Sequence, residues 1–174
     1  YVLIPDDWLV AASTIGISTG LGDEMLRIQA IKVFTDVSLG ARTAALESPY
    51  SDSPDAEGVL IHSQDQLNSI VESASRQAFQ VAIHAIGDHA IAMALTAIEN
   101  ARHVVPQCDK LRHRIEHAAV LNPDLIRRIK RAKVIASVQP HFISSDPWVP
   151  ARVGRERAKF VYALKSLLES GITM

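Results

Sequence analysis

The chain has 174 residues, 48% of them hydrophobic, which is enough apolar material for one domain with a sizeable core. Its 18 Lys and Arg stand against 19 Asp and Glu, a formal net charge of −1, so no net field favours a nucleic-acid backbone or an anionic membrane surface as partner. The single cysteine, Cys108, excludes an internal disulfide and any CxxC-type zinc or redox motif and fits a reducing, cytoplasmic setting, and no run approaches the roughly 18 consecutive apolar residues of a membrane span.

The chain begins at Tyr1 without a Met, lacks a basic leader followed by an apolar run, and stops at Met174 shortly after Gly171, so it reads as a piece of something longer. Residues 16–22 (GISTGLG) imitate a phosphate loop but lack the Lys and Ser or Thr that would follow. The β-branched and aromatic stretch from Ile28 to Thr35 predicts a strand that ends in the segment Asp36 to Ala41. From Glu47 to Gly58 the Pro-bearing sequence predicts an irregular loop, long enough to lie over a site. Ser63 then caps an amphipathic helix through Leu67, Ile70, Val71, Ala74 and Ala78.

The apolar run Gln80 to His84 predicts a second strand, and Gly87 and Asp88 open a helix through Ile91, Leu95, Ile98 and Ala101. The same unit recurs as a strand from Arg112 to His117, with Asn122 capping a helix that starts on Pro123 and runs to about Arg131. A fourth copy follows: strand from Val134 to Gln139, loop from Pro140 to Pro150, and helix from Arg155 to Ser170 closed by Gly171. Four βα units imply an α/β fold, a parallel sheet with helices packed outside it, and both a barrel and an open doubly wound sheet satisfy that pattern.

In such folds functional groups gather at the C-terminal ends of the strands, where the loops leave the sheet. Here those ends carry Lys32 with Asp36, then His84, then His117, then Gln139 with His141. One strand-end histidine is ordinarily a solvated or hydrogen-bonded side chain, but His84 and His117 lie about one βα unit apart, so adjacent strands bring both rings to one rim as metal ligands. His84 and His89 have a His-x4-His spacing, but one ends a strand and the other starts a helix, so they diverge. The basic residues Arg127, Arg128, Lys130, Arg131 and Lys133 form a solvated helix face without the interleaved aromatics of a single-stranded nucleic-acid site, and His62, His103 and His113 read as surface residues.

The segments Ile31 to Leu46 (IKVFTDVSLGARTAAL), Val81 to Asp88 (VAIHAIGD), Arg112 to Leu121 (RHRIEHAAVL) and Val134 to His141 (VIASVQPH), in this order, resemble the amidohydrolase family 3 branch of the amidohydrolase superfamily, which includes N-substituted formamide deformylase. The resemblance covers nearly the whole chain. It implies the C-terminal half of a metal-dependent (β/α)8 barrel, hydrolysis of a carbon–nitrogen, amide-type bond in a small molecule, and a divalent metal, foremost zinc, with one or two ions in the complete enzyme. By motif, Lys32 takes the bridging position on the fourth barrel strand, His84 is the fifth-strand ligand and His117 the sixth-strand ligand. An ammonium repels a divalent cation, so Lys32 serves only as a carbamate, which offers two anionic oxygens. Asp36, Arg42, Gln139 and His141 are expected to bind substrate.

Three departures stand out: Val37 replaces glycine in the family's Asp-Gly-Ser-Leu-Gly run, no His-x-His occurs, and the chain stops where an eighth strand and its proton-shuttling Asp should begin. The 174 residues alone are therefore expected to show little or no catalysis. The alternative from a different class is a non-catalytic α/β half-barrel that acts by self-association or partner binding. Four units cannot close a barrel of about 250 residues, and the raw sheet edges predict a homo-oligomer.

Overall fold

Parallel pairing dominates the computed structural model, which describes residues 1–174. Five strands, β1 (Val2–Pro5), β2 (Ile28–Phe34), β3 (Gln80–Ala85), β4 (Arg114–His117) and β5 (Ile135–Ser137), form one sheet in chain order, each parallel to the next. The crossovers carry α1 (Leu9–Thr14), α2 (Gln64–Arg76), α3 (Asp88–Val104) and α4 (Pro123–Arg131), and after β5 come α5 (Phe142–Ser145), α6 (Val149–Ala158) and α7 (Leu164–Glu169). No helix is long and apolar enough to cross a membrane.

Alternation along the strands divides the sheet into two unlike faces. Ile31 and Val33 of β2, Val81, Ile83 and Ala85 of β3, Ile115 of β4 and Ala136 of β5 are fully buried and join Leu67, Val71, Ile91, Leu95, Ile98 and Ile129 of the helices in the main core. The residues between them, Lys32, Phe34, His84, Arg114, Glu116 and Ser137, face the other way. Consecutive strand order with helices on one face is an arc of a barrel, whereas a doubly wound sheet reverses order and is covered on both faces. The two arrangements left open by the sequence are thereby separated.

The local signals for α2, α3 and α4 mark the helix starts, but α2 stops at Arg76 and Ala78, expected within it, lies beyond its end at φ 60°. Ser63 makes a reciprocal capping box with Gln66, and Asn122 accepts from the Leu125 N–H at 2.9 Å with Pro123 behind it. Three further expectations need correction. The strands number five, because the short apolar run VLIP at the start pairs with β2. Pro140 to Pro150 includes the short helix α5. The helix expected from Arg155 to Ser170 is broken into α6 and α7, since Tyr162 N–H donates to Ala119 O at 2.8 Å and Leu121 N–H to Phe160 O at 3.2 Å, which pulls the chain into a bridge and leaves Tyr162 at φ 51°. Helical periodicity cannot register that competing tertiary ladder.

His113 is also corrected, from a surface residue to one only 3% exposed. Its Nδ1 accepts the Val81 N–H at 3.1 Å, and its Nε2 lies 3.2 Å from both Ser75 Oγ and Cys108 Sγ. Burial, helped by the Arg102 charge, pushes the imidazole down to about 4. The unfolded chain binds this proton near the ordinary 6.5, so the neutral ring contributes its full stability above that value and loses it as pH falls toward 4. Urea unfolding at pH 7, 6 and 5 is expected to show a stability loss that reaches about 1.4 kcal/mol per pH unit from this group, and His113→Gln to give a flatter profile from a lower starting point. Separately, Ser63→Ala removes the capping box and is expected to cost about 1 kcal/mol in the same assay.

Candidate metal centre

The face of the sheet left free by the helices carries the strand-end polar groups. In the register, Lys32 lies opposite Ala82 and Ala82 opposite Arg114, while Phe34 lies opposite His84 and His84 opposite Glu116. His117 falls opposite Ala85, a helix-facing position, so a regular strand would send its ring into the core. The backbone prevents that: His117 has φ 75° and Ala118 φ 44°, two successive left-handed residues that turn the chain over. Such conformations cost on the order of 1–3 kcal/mol each, and here they set the His117 ring 4.6 Å from that of His84, edge to face.

Each imidazole has one nitrogen occupied. His84 Nε2 donates to the Val37 carbonyl at 2.8 Å, and His117 Nδ1 donates to Gln139 Oε1 at 2.7 Å, the Gln139 amide being oriented by its own donation to Ser137 O at 3.2 Å. Because both partners are pure acceptors, the lone pairs lie on His84 Nδ1 and His117 Nε2. Burial lowers both rings, His84 to about 4, with the Val37 hydrogen bond opposing and the neighbouring charges of His117 and Lys32 reinforcing. Neutral imidazoles whose other nitrogen is tied to a carbonyl oxygen are what a bound metal requires.

Lys32 is half-buried, makes no salt bridge and places Nζ 4.5 Å above the Phe34 ring. Burial depresses its pKa, Arg114 adds to the effect and Glu116 works against it. Glu116 itself lies 2.8 Å from Arg114 Nε. No three His, Cys, Asp or Glu side chains stand close enough to share an ion. The two imidazoles fit part of a divalent-metal site, whereas the Lys32 ammonium beside them does not.

Of the residues expected to meet substrate, the structure draws Gln139 to His117 and Asp36 to His84, the latter with Oδ1 3.5 Å from Nε2. Asp36 is corrected: its side chain is fully buried, with Oδ2 accepting from Ala45 N–H at 3.0 Å and Gly87 N–H at 2.8 Å, and Oδ1 from Ile86 N–H at 3.0 Å. Burial raises its pKa while these amides pull it back. Arg42 forms a two-pronged pair with Asp52 at 3.0 Å, and Arg152 of α6 grips the same carboxylate. His141 is exposed at the start of α5, without a hydrogen bond to either ring. Phe34, Arg114 and Glu116 were missed as site-face residues. Counting every second residue on from Lys32 along β2 raises Phe34, but the same count back from His117 returns Ile115 and His113, so Arg114 and Glu116 emerge only from the register that sets Glu116 opposite His84.

A model of the amidohydrolase family matches residues 6–174. The chain belongs to this family. YtcJ of Bacillus subtilis (strain 168) is 42% identical over 149 residues, 82% of this chain and 26% of that protein. The protein LONG AFTER FAR-RED 3 of Arabidopsis thaliana is 37% identical over 147 residues, 83% of this chain and 25% of that protein. The crystal structure of an uncharacterized metal-dependent hydrolase from Pyrococcus furiosus superimposes with a TM-score of 0.86 at 41% identity, covering 99% of this chain and 35% of that one. The amidohydrolase chain described here therefore spans about a quarter to a third of the length of these relatives.

One backbone approach holds this amidohydrolase rim together. A Cβ on Gly87 would lie 1.8 Å from Ala45 O, so only glycine lets the turn at Ala45 and the start of α3 close on the Asp36 carboxylate. Gly87→Ala is expected to destabilise by about 3 kcal/mol or more, read from chemical denaturation, with the largest loss of amide protection at residues 44–46 and 86–88.

Proposed function

We propose that this chain supplies the histidine side of a metal centre in an amidohydrolase that cleaves a carbon–nitrogen, amide-type bond of a small molecule with water. The pair of neutral rings 4.6 Å apart, each with one nitrogen tied to an oxygen and the other free, carries the reading. His84 through Nδ1 and His117 through Nε2 hold the ion. Imidazole nitrogen suits zinc above the harder divalent ions, and the complete protein takes one or two. Lys32 joins them as a carbamate: its half-buried amine, shifted down, adds to carbon dioxide and releases a proton, turning a repelling cation into an anionic ligand. A bound ion supplies Lewis acidity to the carbonyl and lowers the pKa of its water toward 7.

The chain's own groups do the rest of what can be assigned. Gln139 fixes the His117 ring, Phe34 offers an apolar wall beside His84, at 5.0 Å between ring centroids, and Arg42 and His141 meet substrate from the rim loops. The 174-residue chain is expected to bind metal without turning over substrate, so metal content is the readout. Zinc or cobalt titrated into the chain should bind near one equivalent. His84→Asn and His117→Asn should each weaken it by more than the roughly 10–100-fold typical of losing an outer-shell partner, with unchanged circular dichroism. Equal affinity in wild type and both variants would remove the metal reading.

A second reading, self-association of a non-catalytic half-barrel, draws on a different feature. β1 has no partner on its outer edge, and beside it an apolar groove of about 550 Å³ is lined by Leu3, Ile4, Trp8, Ala11, Ile15 and Ile28. Trp8 and Ile15 are 66% and 74% exposed there. On this reading light scattering finds a dimer or larger at micromolar concentration that Ile15→Asp returns to monomer, whereas a wild-type monomer at every concentration counts against it.

A further inference from the structure

We infer that Asp36 is a positioning residue for the ion, its buried carboxylate holding His84 in the tautomer that leaves Nδ1 free; the inference rests on the metal reading above and deepens it. Three backbone N–H groups fix the carboxylate in place, two of them on Ile86 and Gly87, which follow His84 along the chain. The same carboxylate presents Oδ1 3.5 Å from His84 Nε2. The next residue, Val37, contributes the carbonyl that takes the Nε2 proton at 2.8 Å. The Nε2 side of the ring thus faces two acceptors, one carrying formal negative charge, and no donor.

Moving the proton to Nδ1 would set the Nε2 lone pair against the Val37 carbonyl and against a carboxylate that three amides keep from turning away. In a site where Asp36 has no exposed surface, little water is present to soften that repulsion. Anchoring through a carbonyl or carboxylate on the far nitrogen is the general way a protein orients a ligating imidazole. His117 takes its tautomer from Gln139 instead, so it is an internal control.

Long-range proton–nitrogen spectra of the metal-free chain at pH 7 test this. Wild type is expected to carry the His84 proton on Nε2 and none on Nδ1. In Asp36→Asn the two His84 nitrogen shifts should move toward each other as the tautomers mix, the His117 shifts should stay, and zinc affinity by competition with a chelating dye should fall by about 10–100-fold. A purely structural Asp36 predicts lower stability with His84 shifts and zinc affinity unchanged, and that result overturns the inference. Should Asp36→Asn not fold, Asp36→Glu takes its place with the same two outcomes, and Nδ1–H on His84 in the wild-type spectrum overturns the inference by itself. A wild-type chain that takes up no zinc sinks the metal reading and leaves the ring measurement to judge Asp36.

Discussion

The parallel register of β2, β3 and β4 is the constraint on which the rest depends. Parallel neighbours cannot be joined by a tight turn, so every link is a crossover, and right-handed crossovers in consecutive order stack the helices on one face. That face takes Ile31, Val33, Val81, Ile83 and Ile115, and the other receives Lys32, Phe34, His84, Arg114 and Glu116. A slip of one residue in β2 would drive Lys32 into the apolar layer and bring Ile31 and Val33 out of it. Burying an unpaired ammonium costs far more than any local preference returns, so the alternation that builds the core also delivers the polar groups to the opposite side.

The strand ends are organised by a second, smaller core. Leu39, Ala44, Leu46, Tyr50, Val120, Val149 and Val153 pack together under the loops, with Tyr50 Oη donating to Ala44 O at 2.8 Å. Around it Arg42 and Arg152 share Asp52, and Arg157 donates to the Ser48 and Pro49 carbonyls at 2.7 and 2.6 Å. Exposed ion pairs are worth about 0–1 kcal/mol each, while one fully buried large apolar side chain contributes about 1.5–3 kcal/mol. Apolar packing therefore holds the rim, and the arginines set which way its loop segments dock against α6.

Electrostatics at the site follow from burial rather than from net charge. Both imidazoles are driven toward neutrality, which keeps their free nitrogens nucleophilic toward a cation, and the Lys32 amine is pushed in the same direction. The chain belongs to the amidohydrolase family, and on its open face no three His, Cys, Asp or Glu side chains stand close enough to share an ion.

Composition and periodicity alone determined the α/β class, four of the five parallel strands, the caps at Ser63 and Asn122, and the nomination of His84 and His117, because alternation and capping are local and leave their mark within a few residues. Tertiary structure decided what depended on distant partners. Whether the sheet curved into a barrel arc turned on which face the helices covered. The His117 ring came to the open face through two left-handed residues that no propensity demands. Asp36 went inward to meet amides of Ala45, Ile86 and Gly87, His113 was buried against Ser75 and Cys108, and the last long helix broke at a backbone bridge to Val120. Each of these is a contact between residues far apart in the chain, and a pattern read a few positions at a time contains no term for it.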